Sequence, residues 1–166
     1  HDELAFTKLI HSIENEMYKI AKIKLKKDDD VFEALQNTII LIYKNIKKLK
    51  DPKKFKTWAI RILINECLKI IKRNNKYINT SIEYDENIGK IENHFEKVEA
   101  EVDLNKLLKY LNEDEKIVIL LYYGQQYKIR EIVEILSESE GTIKSRISRA
   151  KTKIKNHMKE ESKYGE

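Results

Sequence analysis

From Gly141 to Lys159 the chain carries seven Lys or Arg and no Asp or Glu. On a helix turning about 100° per residue, Ile143, Ile147, Ala150 and Ile154 fall within about 60° of one another. Thr142, Ser145, Arg146, Arg149 and Lys153 fall on the opposite side, within about 100°. One side can pack, while the other presents hydroxyl, guanidinium and ammonium groups. Arg reads guanine edges bidentately, and Ser, Thr and Lys hold phosphates. The helix start, around Gly141, adds free backbone N–H groups that suit a phosphate. A basic helix face by itself is commonly just a solvated surface. What precedes this one makes it more specific. Lys128 to Leu136 reads as a short amphipathic helix, Ser137, Glu138 and Ser139 as a tight connection, and Ser139 as an N-cap. A short helix, a tight turn and a second helix are the parts of a helix-turn-helix. The segment from Lys128 to Lys155 is therefore expected to place a helix in a DNA groove.

A second constellation lies between Trp58 and Arg73. Trp58, Arg61, Asn65, Lys69 and Lys72 fall within about 80° on a helix, and most of the remaining positions are apolar. An aromatic, an amide and three cations in one stripe suit single-stranded or opened DNA, where bases stack and phosphates meet charge. A lone Trp at helical spacing is often a core residue, so Trp58 has two readings, DNA-facing or buried.

These residues need helices to position them, and the pattern supplies them. Leu4 to Leu25 has helical spacing, with Phe6, Leu9, Ile10, Ile13, Met17, Ile20 and Ala21 as its apolar stripe. Asp28, Asp29 and Asp30 can cap a second helix reaching about Lys48, with Ala34, Leu35, Thr38, Ile42 and Ile46 inside. Leu49 to Lys53, containing Pro52, reads as a turn, and a third helix is expected over Lys54 to Lys72. Asn74 to Glu99 is rich in Asn, Asp and Glu and reads as a linker. Leu104, Leu107, Leu108 and Leu111 resume helical spacing. Asn112 then caps a further helix, with Glu115 placed for a capping box and Ile117, Val118, Leu120 and Leu121 inside. The expected fold is all-α: two small helical domains, 1–76 and 102–162, joined by a flexible acidic linker, 77–101.

Composition agrees. The chain has 166 residues, one Pro, four Gly and 41% apolar residues, which favours packed helices over β structure or disorder. Charged residues make up 37% and the net charge is +5, a weak argument for a polyanionic partner until its distribution is considered. Lys44 to Lys56 holds seven Lys against one acid, and Lys69 to Lys76 four bases and no acid. Glu83 to Asp103 holds eight acids against two Lys, so basic regions flank an acidic connector. The lone Cys67 excludes an intrachain disulfide and fits a reducing, cytoplasmic compartment. One Cys and four scattered His build no metal cluster, and no metal or cofactor is expected. Nothing reads as a signal peptide or a membrane span, and the start on His1 rather than Met fits a trimmed chain.

With these residues in view, the chain resembles bacterial sigma factors of the extracytoplasmic-function (ECF) type, two-domain initiation subunits of RNA polymerase in the sigma-70 family. That family's second domain ends in a pattern like Glu-Gly-Thr-Val-Lys-Ser-Arg-hydrophobic-Ser-Arg-Ala-Arg. The corresponding stretch here runs Glu140-Gly-Thr-Ile-Lys-Ser-Arg-Ile-Ser-Arg-Ala-Lys151. Asp30-Val-Phe-Glu-Ala-Leu-Gln-Asn-Thr38 and Phe55-Lys-Thr-Trp-Ala-Ile-Arg-Ile-Leu-Ile-Asn65 are similar to the family's first domain. Departures lie at Ser137 and Glu138, where Gly and an apolar residue are usual, and at Val133, usually Ala. The resemblance implies a division of labour. Asp30, Gln36 and Asn37 would dock on the polymerase β′ clamp helices, and the second domain would meet the β flap. Lys54, Lys56, Thr57, Trp58, Arg61, Asn65, Lys69 and Lys72 would bind and open the −10 promoter element. Gly141, Thr142, Lys144, Ser145, Arg146, Arg149 and Lys153 would read the −35 element as duplex. It also implies an anti-sigma partner, often membrane-anchored, and no small-molecule substrate.

Two other readings compete. A stand-alone helix-turn-helix regulator usually dimerises on a pseudo-palindrome, but no sustained heptad seam is visible and the first 75 or so residues would go unexplained. A nuclease would need Asp28–Asp30 or Glu113–Glu115 to hold Mg²⁺, and capping explains both acidic clusters more simply. The expectation is a non-enzymatic DNA-binding factor.

Overall fold

The computed structural model describes residues 2–78 and 108–164. All regular structure among them is helical, and the chain divides into two compact units, His1–Gly89 and Lys90–Glu166.

The first unit opens with two helices where spacing predicted one. Asp2 caps α1 (Glu3–His11) by accepting from the Ala5 amide at 3.1 Å. The Ser12 hydroxyl then donates to the Leu9 carbonyl at 2.6 Å, competing with the helical ladder at the point where the chain breaks. Ile13 is buried at the joint, and α2 (Glu14–Lys24) turns Met17, Ile20 and Ala21 inward. The three aspartates fall in the first turn of α3 (Asp28–Asn45) and make no side-chain cap bond there. They complement the positive end of the helix dipole instead. Val31, Ala34, Thr38 and Ile42 are buried, whereas Leu35 and Ile46 are only half-buried. The buried Thr38 hydroxyl is satisfied by the Ala34 carbonyl at 2.7 Å.

A 3-10 turn over Ile46–Lys48 and a second over Pro52–Lys54 lead into α4 (Phe55–Ile78). Pro52 fits the start of that turn because its missing N–H would be unpaired there. Ala59, Ile60, Leu63, Ile64, Cys67 and Ile70 form the buried side of α4 against α2 and α3. This helix outruns the sequence expectation and takes in residues 74–78, which composition assigned to the linker. Long-range polar bonds account for the extension. Arg73 donates to both Glu33 oxygens at 2.6 and 2.9 Å, and Asn74 donates to Asp30 at 2.9 Å. The Arg73 hydrogen bond holds the Glu33 carboxyl below its usual pKa, against a smaller opposing effect of burial. The rest of the expected linker, and Leu104 and Leu107, lie outside the described residues.

In the second unit, Asn112 and Glu115 form the expected capping box. The Glu115 amide donates to Asn112 Oδ1 at 2.9 Å and the Asn112 amide to Glu115 Oε2 at 3.0 Å. Helix α5 (Glu113–Ile119) continues through a π turn, Leu120–Gly124. Helix α6 (Ile129–Leu136) buries Ile132 and Ile135, and Ser137 ends it in a left-handed conformation with φ 55°. Ser139 then caps α7 (Glu140–Tyr164) by accepting from the Thr142 amide at 3.1 Å. Ile143, Ile147 and Ala150 are buried, as the spacing required, and α7 packs on both α5 and α6.

Candidate nucleic-acid interface

Helix α7 sorts its polar residues into two groups. Gly141, Lys144, Ser145 and Arg149 are exposed, and Thr142 is half-exposed at the helix start beside the Ser139 hydroxyl. A Cβ built on Gly141 would meet nothing nearer than Ser139 Oγ at 3.9 Å. Nothing inside the unit therefore demands a glycine there, and the bare backbone faces outward. Lys144 pairs with Glu140 one turn back, a surface pair that contributes little.

Arg146 and Lys153 behave differently, because each is tied to an acid on another element. Arg146 Nη1 lies 2.7 Å from Glu138, Nη2 lies 3.5 Å from Asp114, and the side chain is only 17% exposed. Lys153 Nζ lies 2.9 Å from Glu115, whose side chain is 4% exposed. Burial pushes the Glu115 carboxyl up. The Lys153 hydrogen bond, the Asn112 backbone bond and the charges of Lys153 and Arg149 outweigh it and hold the pKa below 4.5. A depressed carboxylate stabilises the fold above its unfolded pKa and loses that contribution as pH falls through the folded value. Chemical denaturation of the chain should therefore show α5–α7 losing stability below about pH 4.5. Glu115→Gln should cost about 1–2 kcal/mol at neutral pH and flatten this acid limb. An acid limb unchanged in the variant would show that Glu115 is not its source.

In the first unit, Arg61, Asn65, Lys69 and Lys72 are exposed along α4, with Lys54 and Lys56 exposed just before them. Lys69 is held by Glu66 at 2.6 Å. Thr57 drops out of the expected DNA-facing set: it is buried at 6% exposure, on the same side of α4 as Ile60 and Ile64. Its position three and seven residues before those two could have placed it inside. Trp58 settles between its two readings. It is half-buried, its ring centroid is 6.3 Å from that of Phe55, and it lines an open depression with Asn45, Lys48, Leu49, Lys50 and Ile62. An adjoining depression holds Asn65, Leu68, Lys69 and Lys72, sharing Leu41 and Ile62 with the first. Lys48 and Lys50 were not singled out from sequence, although the basic run around them was visible.

Of the expected polymerase-facing residues, Gln36 is exposed and Asn37 half-buried. Asp30 is 15% exposed, 3.6 Å from Arg73 and bonded to Asn74, so it braces α3 against α4. The exposed face of α3 also carries Phe32, Ile40 and Tyr43, with Phe32 61% exposed. With Gln36 they fall within about 80° on the helix. Sequence reasoning passed over this stripe because apolar helical residues default to the core.

A helical unit with a half-buried Trp beside exposed lysines and a helix-turn-helix unit with a basic outer face together suit a DNA-binding protein. The comparisons with known proteins make the class specific. The model of sigma-70 region 2 matches residues 9–77, and that of sigma-70 region 4 matches residues 101–154. The chain belongs to the sigma-70 family of RNA polymerase sigma factors, in its ECF branch. It is 26% identical over 135 residues to the RNA polymerase sigma factor SigV of Bacillus subtilis, covering 81% of this chain and 80% of that protein. It is 22% identical over 153 residues to the ECF sigma factor SigM of Mycobacterium tuberculosis, covering 92% and 76%. Among solved structures, the sigma factor RpoE of Bartonella quintana, in complex with the anti-sigma factor NepR, shares the fold. Its TM-score is 0.75 at 20% identity, covering 93% of this chain and 97% of that one. CnrH, in complex with the cytosolic domain of CnrY, is similar at a TM-score of 0.60 and 19% identity, covering 96% and 90%. The stand-alone regulator left the first unit unexplained, and the region 2 match explains it. Among the described residues no helix is long and apolar enough to cross a membrane.

Proposed function

We propose that the two units divide promoter recognition between them, α7 reading the −35 element as duplex and the α4 groove taking the −10 element as its strands part. The observation that carries this reading is that α4 and α7 each expose a polar, cationic stripe opposite a buried apolar one. On α7 the outward set is Gly141, Thr142, Lys144, Ser145 and Arg149. On the first unit it is Lys54, Lys56, Trp58, Arg61, Asn65, Lys69 and Lys72, joined by Lys48 and Lys50. The dry wall that Trp58, Leu49 and Ile62 give the groove suits an unstacked base, and the lysines around it suit the backbone. In this reading the domain limits lie near 1–76 and 102–162, with residues 77–101 joining them. Linking two modest readers raises overall affinity through effective concentration, which suits promoter elements separated along DNA.

The polymerase core is the partner this function requires. The α3 stripe around Gln36, with Phe32, Ile40 and Tyr43, is the surface we assign to the β′ clamp helices, in place of Asp30. The second unit is assigned to the β flap. An anti-sigma protein covering the same stripe would keep the factor silent, and the solved relative RpoE is in complex with the anti-sigma factor NepR. A cytoplasmic site of action follows from such partners. Gel-shift measurements with and without core polymerase test the reading. Promoter DNA should be bound specifically only when core is present. Tight, specific duplex binding by the free chain as a dimer would overturn it.

A further inference from the structure

The connection between α6 and α7 holds an unusual arrangement. Ser137 sits at φ 55°, a left-handed conformation that disfavours a residue with a side chain, so surrounding contacts must hold the turn in shape. The next residue, Glu138, reaches across the turn to Arg146 at 2.7 Å. The same guanidinium approaches Asp114 in the first turn of α5. One side chain thus joins the turn, the start of α5 and the second turn of α7.

We infer that Arg146 is a positioning residue, not a base reader, and that base selection by α7 passes to Ser145 and Arg149. This rests on the reading that α7 enters the duplex groove. On the helix Arg146 lies about 40° from the buried Ala150, at the edge of the packed face, whereas Arg149 lies about 100° from it. Drawing Arg146 out to a guanine edge would strip Glu138 of this cation and leave its carboxylate at the surface of a polyanion. Arg149 is exposed, and although its charge acts on Glu115 it makes no salt-bridge contact among the described residues, so its guanidinium can meet a base edge without breaking one. The Glu138–Arg146 pair supplies the tie between turn and reading helix that an apolar turn residue would otherwise give by packing.

The test uses holoenzyme assembled from core polymerase and the full chain, offered a duplex library randomised over the upstream element. Arg146→Ala and Glu138→Gln should each weaken binding by about 3–30-fold for every sequence alike. The ranking of base preferences should be unchanged, and the double variant should be no weaker than Arg146→Ala. Arg146→Lys, which keeps a cation beside Glu138, should restore most of the affinity with the same ranking, and it guards against an Ala variant that folds poorly. The inference is overturned if Arg146→Ala or Arg146→Lys flattens preference at one base pair while Glu138→Gln binds as well as wild type or better. It is equally overturned if Arg146→Ala changes nothing. A wild-type holoenzyme that enriches no upstream duplex motif would instead overturn the groove-docking reading, and this inference with it.

Discussion

Replacing Arg149 with Ala is expected to weaken holoenzyme binding to the preferred −35 duplex by about 1–3 kcal/mol, roughly 5–150-fold. The loss should fall on one base pair: sequences already altered there should be bound no worse by the variant than by wild type. The expectation comes from exposure and charge. Arg149 stands clear of the packed face set by Ile143, Ile147 and Ala150, and its charge acts on Glu115 without a salt-bridge contact among the described residues. Removing an exposed side chain leaves no cavity, so thermal stability should barely change. Binding across single-base-pair substitutions, with melting temperature as control, checks both halves. A uniform loss across all sequences, with a salt slope smaller by about one, would assign Arg149 to a phosphate instead.

The second large effect belongs to the first unit. Trp58→Ala should leave −35 duplex binding intact and slow promoter opening. Stacking on an aromatic contributes about 1–3 kcal/mol per base, so the equilibrium for open complex should fall about tenfold. Trp58 is half-buried against Phe55, and part of any loss could come from the fold. Two companions separate the effects. Trp58→Phe keeps an aromatic face and most of the packing, and should retain most opening. Asn65→Ala removes an exposed amide from the adjoining depression with little structural cost, and should reduce opening with no change in melting temperature. Permanganate footprinting of the −10 region reads opening directly. Equal opening by wild type and both Ala variants would remove this groove from the account.

How far the sequence alone could reach depended on the range of the interaction. The Asn112–Glu115 capping box, the Ser139 cap and the buried Ile143, Ile147 and Ala150 all follow from spacings of a few residues, and local geometry makes those legible. The break at Ser12 turned on one hydroxyl competing for a helical carbonyl, a choice the apolar stripe does not encode. The most consequential differences were side-chain hydrogen bonds and ion pairs across long separations. Asn74 reaches Asp30 over 44 positions, Arg73 reaches Glu33 over 40, and Lys153 reaches Glu115 over 38. Each converts a residue that looked available for a partner, or a segment that looked like linker, into part of the frame. Arg146 gave more warning, since its place about 40° from Ala150 on the helix put it at the edge of the packed face. The exposed Phe32, Ile40 and Tyr43 were hidden for the opposite reason. An apolar helical residue points to the core unless a neighbour fails to cover it, and only the packed structure shows that.

The central claim is that this chain directs core polymerase to promoters through two separated elements. Run-off transcription from a randomised promoter library, with purified core and the chain added or withheld, tests it most directly. The account predicts transcripts that depend on the chain and arise from templates sharing an upstream duplex motif and a second motif just before the start site. Arg149→Ala should blur the first motif, and Asn65→Ala should lower output with the first intact. Transcripts that do not depend on the chain, or a single enriched motif bound equally well without polymerase, would contradict it.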